Sequence, residues 1–167
     1  MGMVQQVIKY VWSTRKYIMG RKVKIYIESG DVPHLLFYGQ AGTGKTTLAK
    51  IIANNVNADV MYINASDENN IETVRTKIKN YASTVGFKRW KIVILDEADY
   101  MTPNGQAALR NLMETFSKTT RFILTCNYVE KIIDPIQSRC QVFGITPPNK
   151  KEVAKRIVSI LDELQVS

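Results

Sequence analysis

The chain has almost no histidine: His34 is the single one. That excludes a metal site built from several imidazoles. Beside Pro33, at the entry to an apolar stretch, His34 is expected to be structural. Cysteine is also scarce. Cys126 and Cys140 belong to no CxxC pair, which argues against a zinc site or a disulfide scaffold and fits a reducing compartment. No apolar run approaches membrane-spanning length, so no membrane partner is expected. The opening Met1-Gly2-Met3-Val4-Gln5-Gln6 matches neither a secretory signal nor a myristoylation motif, and an intracellular location is expected. Internal repeats and low-complexity linkers are lacking too. Acids are outnumbered: 15 Asp and Glu against 23 Lys and Arg leave a net charge of +8. This suits a polyanionic partner, and equally a plain basic surface. What is present is 167 residues, 45% of them hydrophobic, enough for one α/β domain with a sizeable core.

The most informative stretch is Leu35-Leu36-Phe37-Tyr38 followed by Gly39-Gln40-Ala41-Gly42-Thr43-Gly44-Lys45-Thr46. Four apolar residues predict a buried strand, the glycines a turn, and Lys45 the start of a helix. This is G-x-x-x-x-G-K-[ST] in strand–loop–helix context. The glycines let successive N–H groups converge on phosphate oxygens at a helix N-terminus, which already favours anions. Lys45 brings a charge to the β- and γ-phosphates, and the Thr46 hydroxyl can ligate Mg²⁺. Residues 39–46, with Thr47 following, are the candidate nucleotide-binding residues.

A second signal is Ile92-Val93-Ile94-Leu95-Asp96-Glu97, a buried strand delivering two carboxylates at its C-terminal end. In an open parallel sheet ligands bind at that edge. Asp96 can hold Mg²⁺ and Glu97 can polarise an attacking water as general base. Arg121 to Thr125 reads as a further strand ending at Cys126-Asn127, where the amide can hold that water or sense the γ-phosphate. Elsewhere Val4, Val7, Ile8, Val11 and Trp12 have helical spacing, and a basic stretch follows from Arg15 to Lys24. Val23, Ile25 and Ile27 alternate as in a strand. Asp59 to Ile63 reads as another strand, and Asn64-Ala65-Ser66-Asp67 as a turn. Ile71, Val74, Ile78, Tyr81 and Val85 form the stripe of an amphipathic helix. Thr102-Pro103 caps a helix buried through Ala108, Leu109, Leu112, Met113 and Phe116. Val142-Phe143 predicts a last short strand. After Pro147-Pro148, Asn149 and Glu152 form a capping box on a further amphipathic helix.

Together these residues resemble an AAA+ ATPase, and within that group the small subunits of sliding-clamp loaders of the replication factor C type, including phage and archaeal relatives. The carriers are Asp31 to Gly39, the phosphate loop, Ile63-Asn64-Ala65-Ser66-Asp67-Glu68, Asp96-Glu97-Ala98-Asp99, Gln106 to Glu114, Phe122 to Tyr128 and Ile136-Gln137-Ser138-Arg139-Cys140. The resemblance implies a three-layer P-loop NTPase fold with a five-stranded parallel sheet. It divides the chain into an N-terminal helical, basic segment (1–30), an ATPase core (31–147) and the first helix of a lid (148–167). It also implies a helix end, not a strand, around Val23 to Ile27.

The roles that come with the resemblance are specific. ATP and Mg²⁺ would be bound, with Thr46 and Asp96 at the metal and Glu97 as base. Asn127 would be the sensor of the γ-phosphate, and Arg139 a finger reaching ATP held by a neighbouring subunit. Partners would be other clamp-loader subunits, the sliding clamp and primer–template DNA, the last touched through Asn70, Ile71, Arg75 and Lys79. The other reading is a catalytically weak adaptor subunit of the same kind of assembly. Intact Lys45, Thr46, Asp96 and Glu97 argue against it. A DEAD-type helicase is rejected, because that family wants Ser-Ala-Thr where Thr125-Cys126-Asn127 stands.

Overall fold

The computed structural model describes residues 17–67 and 71–145. The expected helix over 4–12, Asn70, and the capped helix after Asn149 lie outside the described residues. The elements are α1 (Tyr17–Ser29), β1 (Leu35–Gly39), α2 (Lys45–Asn54), β2 (Ala58–Asn64), α3 (Ile71–Ser83), β3 (Trp90–Asp96), α4 (Pro103–Thr115), β4 (Thr120–Cys126), α5 (Asp134–Gln137) and β5 (Gln141–Ile145). All five strands pair in parallel, in the order β2-β3-β4-β1-β5. The chain leaves β1 across the sheet and returns through β3 and β4. The C-terminal ends of β1 and β3 therefore flank the end of β4. Such an edge is where open parallel sheets bind ligands.

Strand periodicity divides the apolar residues between two faces. Ile92 and Ile94 of β3 join Leu35, Phe37 and Ile123 against Leu48 and Ile52 of α2 and Val23 of α1. Val93 and Leu95 join Leu36, Phe122 and Leu124 against Val74 and Ile78 of α3 and Leu109 and Met113 of α4. Two clusters on opposite faces of one sheet make the expected three layers. Both sides of β3 are covered, and its whole length is buried.

Three local outcomes bear on the sequence expectations. Thr102 caps α4, its hydroxyl accepting from the Gly105 N–H at 3.1 Å, with Pro103 at the first helical position. The alternation at Val23, Ile25 and Ile27 is not a strand. Val23, Tyr26 and Ile27 pack on the core at helical spacing, while Ile25 is 57% exposed. The stripe of α3 stops short of Val85, which lies beyond the helix end and is 92% exposed. That end is closed instead by Lys91, buried on β3. Its ammonium donates to the Tyr81 carbonyl at 2.7 Å and to the Thr84 carbonyl and hydroxyl.

Polar contacts pin the entry to β1. The Trp90 indole donates to the Gly30 carbonyl at 2.8 Å, and the guanidinium groups of Arg89 and Arg121 lie 3.7 and 4.3 Å from its ring centre. Arg121 also donates to the Val32 carbonyl at 2.7 Å. His34 is buried, accepts the Phe122 N–H at Nδ1 (3.1 Å) and meets the Phe122 ring edge-on. Its role is structural, as expected.

Candidate nucleotide-binding site

The loop between β1 and α2 folds as its glycines allow. Gly42 and Gly44 have φ of 77° and 86°, a region that residues with a Cβ rarely enter. Gly44 leads directly into α2, so the loop's N–H groups gather at a helix N-terminus. Thr43 steadies the turn by donating to the Gln40 carbonyl at 2.9 Å. The Lys45 ammonium donates to the carbonyls of Gly39 and Gln40, each at 2.8 Å, and is held over the loop. Burial pushes the Lys45 pKa down, and the nearby charges of Asp96, Asp99 and Glu97 oppose the shift.

The loop forms one wall of an open cleft of about 290 Å³. Residues 41–47 line that wall, and Asp96, Glu97, Thr125, Cys126 and Asn127 line the other. Residues up to 86 positions apart in sequence thus meet at one sheet edge. Both carboxylates expected at the end of β3 face this cleft. Glu97 has φ of 55°, the one positive value for a residue other than glycine among those described. Such backbone is rare enough to mark a position held by its surroundings, here by the Glu97 N–H donating to the Thr125 hydroxyl at 3.1 Å.

Asp96 is buried and well partnered. Its Oδ1 accepts from the Thr46 hydroxyl at 2.8 Å and from the Thr125 hydroxyl, and its Oδ2 accepts from the Tyr62 phenol at 2.7 Å. Thr46 Oγ1 and Asp96 Oδ1 are thus adjacent hard oxygen donors at the mouth of the phosphate loop. Mg²⁺ in phosphate sites is held by one or two such protein groups, with phosphates and water completing its octahedron. The donor set fits that ion. No cluster of three or more His, Cys, Asp or Glu able to hold a metal occurs among the described residues.

The other expected site residues are distributed more widely. Asn127 lines the cleft at the end of β4. The Asp99 carboxylate accepts its backbone N–H and that of Tyr128, both at 3.1 Å. Arg139 follows α5 and is partly exposed, outside the cleft lining. It donates to the Pro135 carbonyl at 2.8 Å and pairs with Glu114 at the end of α4. Ile71 opens α3 and packs its side chain on the core. Arg75 and Lys79 are exposed one turn apart, with Arg75 3.6 Å from Glu72.

Thr125, Tyr62, Asp99, Gln106 and Glu114 were not marked as site residues by sequence reasoning. Thr125 reads as an ordinary β-former in an apolar strand; only its place two residues before Asn127 hints at more. Gln106 is buried at the start of α4. Its amide donates to the carbonyls of Met101 (3.1 Å) and Lys131 (2.8 Å), and its oxygen accepts the Ile133 N–H at 2.8 Å. It ties α4 to the segment running from Asn127 towards Arg139. Burial pushes the thiols of Cys126 and Cys140 up to about 12, which keeps both protonated at neutral pH.

A phosphate-cradling loop facing strand-end acids across a parallel sheet defines a P-loop nucleoside-triphosphatase fold. Comparison with known proteins narrows the class. Residues 35–147 match the ATPase family associated with various cellular activities (AAA), and the chain belongs to that family. It is similar to the replication factor C small subunit of Archaeoglobus fulgidus, 47% identical over 150 residues, covering 86% of this chain and 47% of that protein. The subunit of the same name from Haloarcula marismortui is 49% identical over 152 residues, covering 87% and 46%. That from Sulfolobus acidocaldarius is 44% identical over 146 residues, covering 83% and 45%. The chain spans just under half the length of these relatives. Among the described residues no helix is long and apolar enough to cross a membrane.

Proposed function

We propose that the chain is an ATP-binding and ATP-hydrolysing subunit of a sliding-clamp loader, acting with companion subunits to place a clamp on primer–template DNA. The observation that carries this reading is the convergence of Lys45, Thr46, Asp96, Glu97 and Asn127 on one cleft, in a chain so similar to replication factor C small subunits. The loop N–H groups and Lys45 grip the β- and γ-phosphates. Thr46 and Asp96 would hold Mg²⁺, which would supply positive charge to offset that of the phosphates. Glu97 takes the proton of the attacking water, and the Asn127 amide fixes that water against the γ-phosphate.

Arg139 completes the reaction on ATP held by the adjacent subunit. Its place outside its own cleft and its partial exposure support action on a neighbour. To reach one, the guanidinium must leave Glu114. A finger is worth on the order of 10³ to 10⁵ in rate, so the lone chain turns ATP over poorly. DNA is held through phosphates by Ile71, Arg75, Lys79 and Asn70, without reading sequence. The proposed core spans residues 31–147, between the N-terminal segment (1–30) and the start of a lid (148–167).

The test is ATP hydrolysis by the chain alone and with its companion subunits, clamp and primer–template DNA. Strong stimulation by the full set is expected. Lys45→Ala should remove nucleotide binding. Arg139→Ala should keep binding and lose at least about 10³ of the stimulated rate. Flat activity in the complete mixture would favour the adaptor, and unchanged turnover in Arg139→Ala would show the finger to be misassigned.

A further inference from the structure

Asp96 takes hydrogen bonds from two threonines that its setting accounts for. Thr46 belongs to the phosphate loop, and Thr125 is buried on the adjacent strand. The third donor has no such explanation. Tyr62 lies on the edge strand β2 and is 45% exposed, so water could satisfy its hydroxyl and burial does not demand a protein partner. Its phenol nevertheless reaches the one Asp96 oxygen that the threonines leave over, at 2.7 Å.

The surroundings hold it there. Pairing of β2 with β3 sets Asn64 beside Asp96, and the Ala65 N–H donates to the Asp96 carbonyl at 2.8 Å. Tyr62, two residues before Asn64, is thereby fixed relative to the carboxylate. From the other side the Lys50 ammonium of α2 lies 4.9 Å from the centre of the tyrosine ring, within cation–π range. The ring is thus braced by the same helix that carries Lys45 and Thr46.

We infer that Tyr62 is a positioning residue for the metal-binding carboxylate: its phenol occupies Asp96 Oδ2 and turns Oδ1 towards the Thr46 hydroxyl, the orientation that serves Mg²⁺. The inference rests on the nucleotide-site reading given under Proposed function. Groups that orient a metal ligand without touching the metal commonly change metal affinity by roughly 10- to 100-fold when removed. Tyr62→Phe keeps the ring over Lys50 and deletes only the donor.

The test is calorimetric titration of the chain with ATP, in excess EDTA and across a Mg²⁺ series, for the wild type, Tyr62→Phe and Thr46→Ala. In Tyr62→Phe, ATP affinity in EDTA should be unchanged, which also reports an intact fold. The tightening produced by Mg²⁺ should need roughly 10-fold more of the ion. A wild-type Mg²⁺ midpoint retained in Tyr62→Phe, or a lower one, overturns the assignment, as does equal weakening with and without Mg²⁺. If Mg²⁺ fails to tighten ATP even in the wild type, or Thr46→Ala loses none of the tightening, the reading of the cleft itself fails, whatever Tyr62 does.

Discussion

A buried carboxylate is normally expensive to charge, yet Asp96 accepts three hydroxyl donors from three separate elements. The sequence motif pointed to one of the three, Thr46. Thr125 and Tyr62 are invisible at that level because strand order, not sequence spacing, brings them to the carboxylate. His34 was easier to read. A lone histidine at a strand entry offers no partner for catalysis, and the structure uses its ring as an acceptor. Burial first, then the Arg121 charge, lowers its pKa to about 4, so it folds neutral. Below pH 6.5 the unfolded chain takes up a proton there that the folded chain refuses. His34 thus stabilises the fold fully above pH 6.5, and the contribution drains away as pH falls towards 4. The loss should be roughly 2 kcal/mol between pH 7.5 and pH 5. Urea denaturation at the two pH values checks it. His34→Asn, which can still accept the Phe122 N–H but does not titrate, should flatten the difference.

Among the described residues, the helices and strands with long apolar patterns form where periodicity predicts, and the departures occur where patterns are short. Five residues at Val23 to Ile27 fit two periods at once; the resemblance implied a helix there, and α1 packs Val23, Tyr26 and Ile27 on the core at helical spacing. Val85 continues a helical spacing that the backbone has already abandoned, because the Lys91 ammonium terminates α3 from a strand that sequence spacing does not relate to it. The ion pair of Arg139 with Glu114 joins the end of α4 to the second residue after α5 and is equally illegible beforehand. With both side chains about one-third exposed or more, it is worth at most about 1 kcal/mol. Glu114→Gln should therefore barely change the melting temperature. In the assembled complex it should raise stimulated ATP turnover by up to roughly 5-fold, since the guanidinium leaves a weaker partner. A slower complex would show that Glu114 aids the arginine rather than detains it.

For the molecule as a whole, two strong motifs place a phosphate loop and two acids at a sheet edge, while the five-stranded parallel sheet came from the family resemblance and the order of its strands from the structure alone. The positive charge was legible, its purpose was not. Exposed Arg75 on α3 gives that charge a specific test. Arg75→Glu should weaken primer–template binding and reduce the slope of log affinity against log salt by about 1, the share of a single phosphate contact. Binding isotherms at several salt concentrations measure it, and an unchanged slope removes Arg75 from the DNA path.

The sheet keeps its two apolar clusters apart, and this division has a bearing on how the chain can fail. Helix α2, which follows the phosphate loop, rests on one cluster, whereas α4 and α5, which support Arg139, rest on the other. Under the proposed function, a lesion beneath α4 or α5 should therefore disturb the placement of Arg139 before it disturbs the phosphate loop. On that proposal, such a chain should still take up ATP yet lose the turnover that companion subunits stimulate.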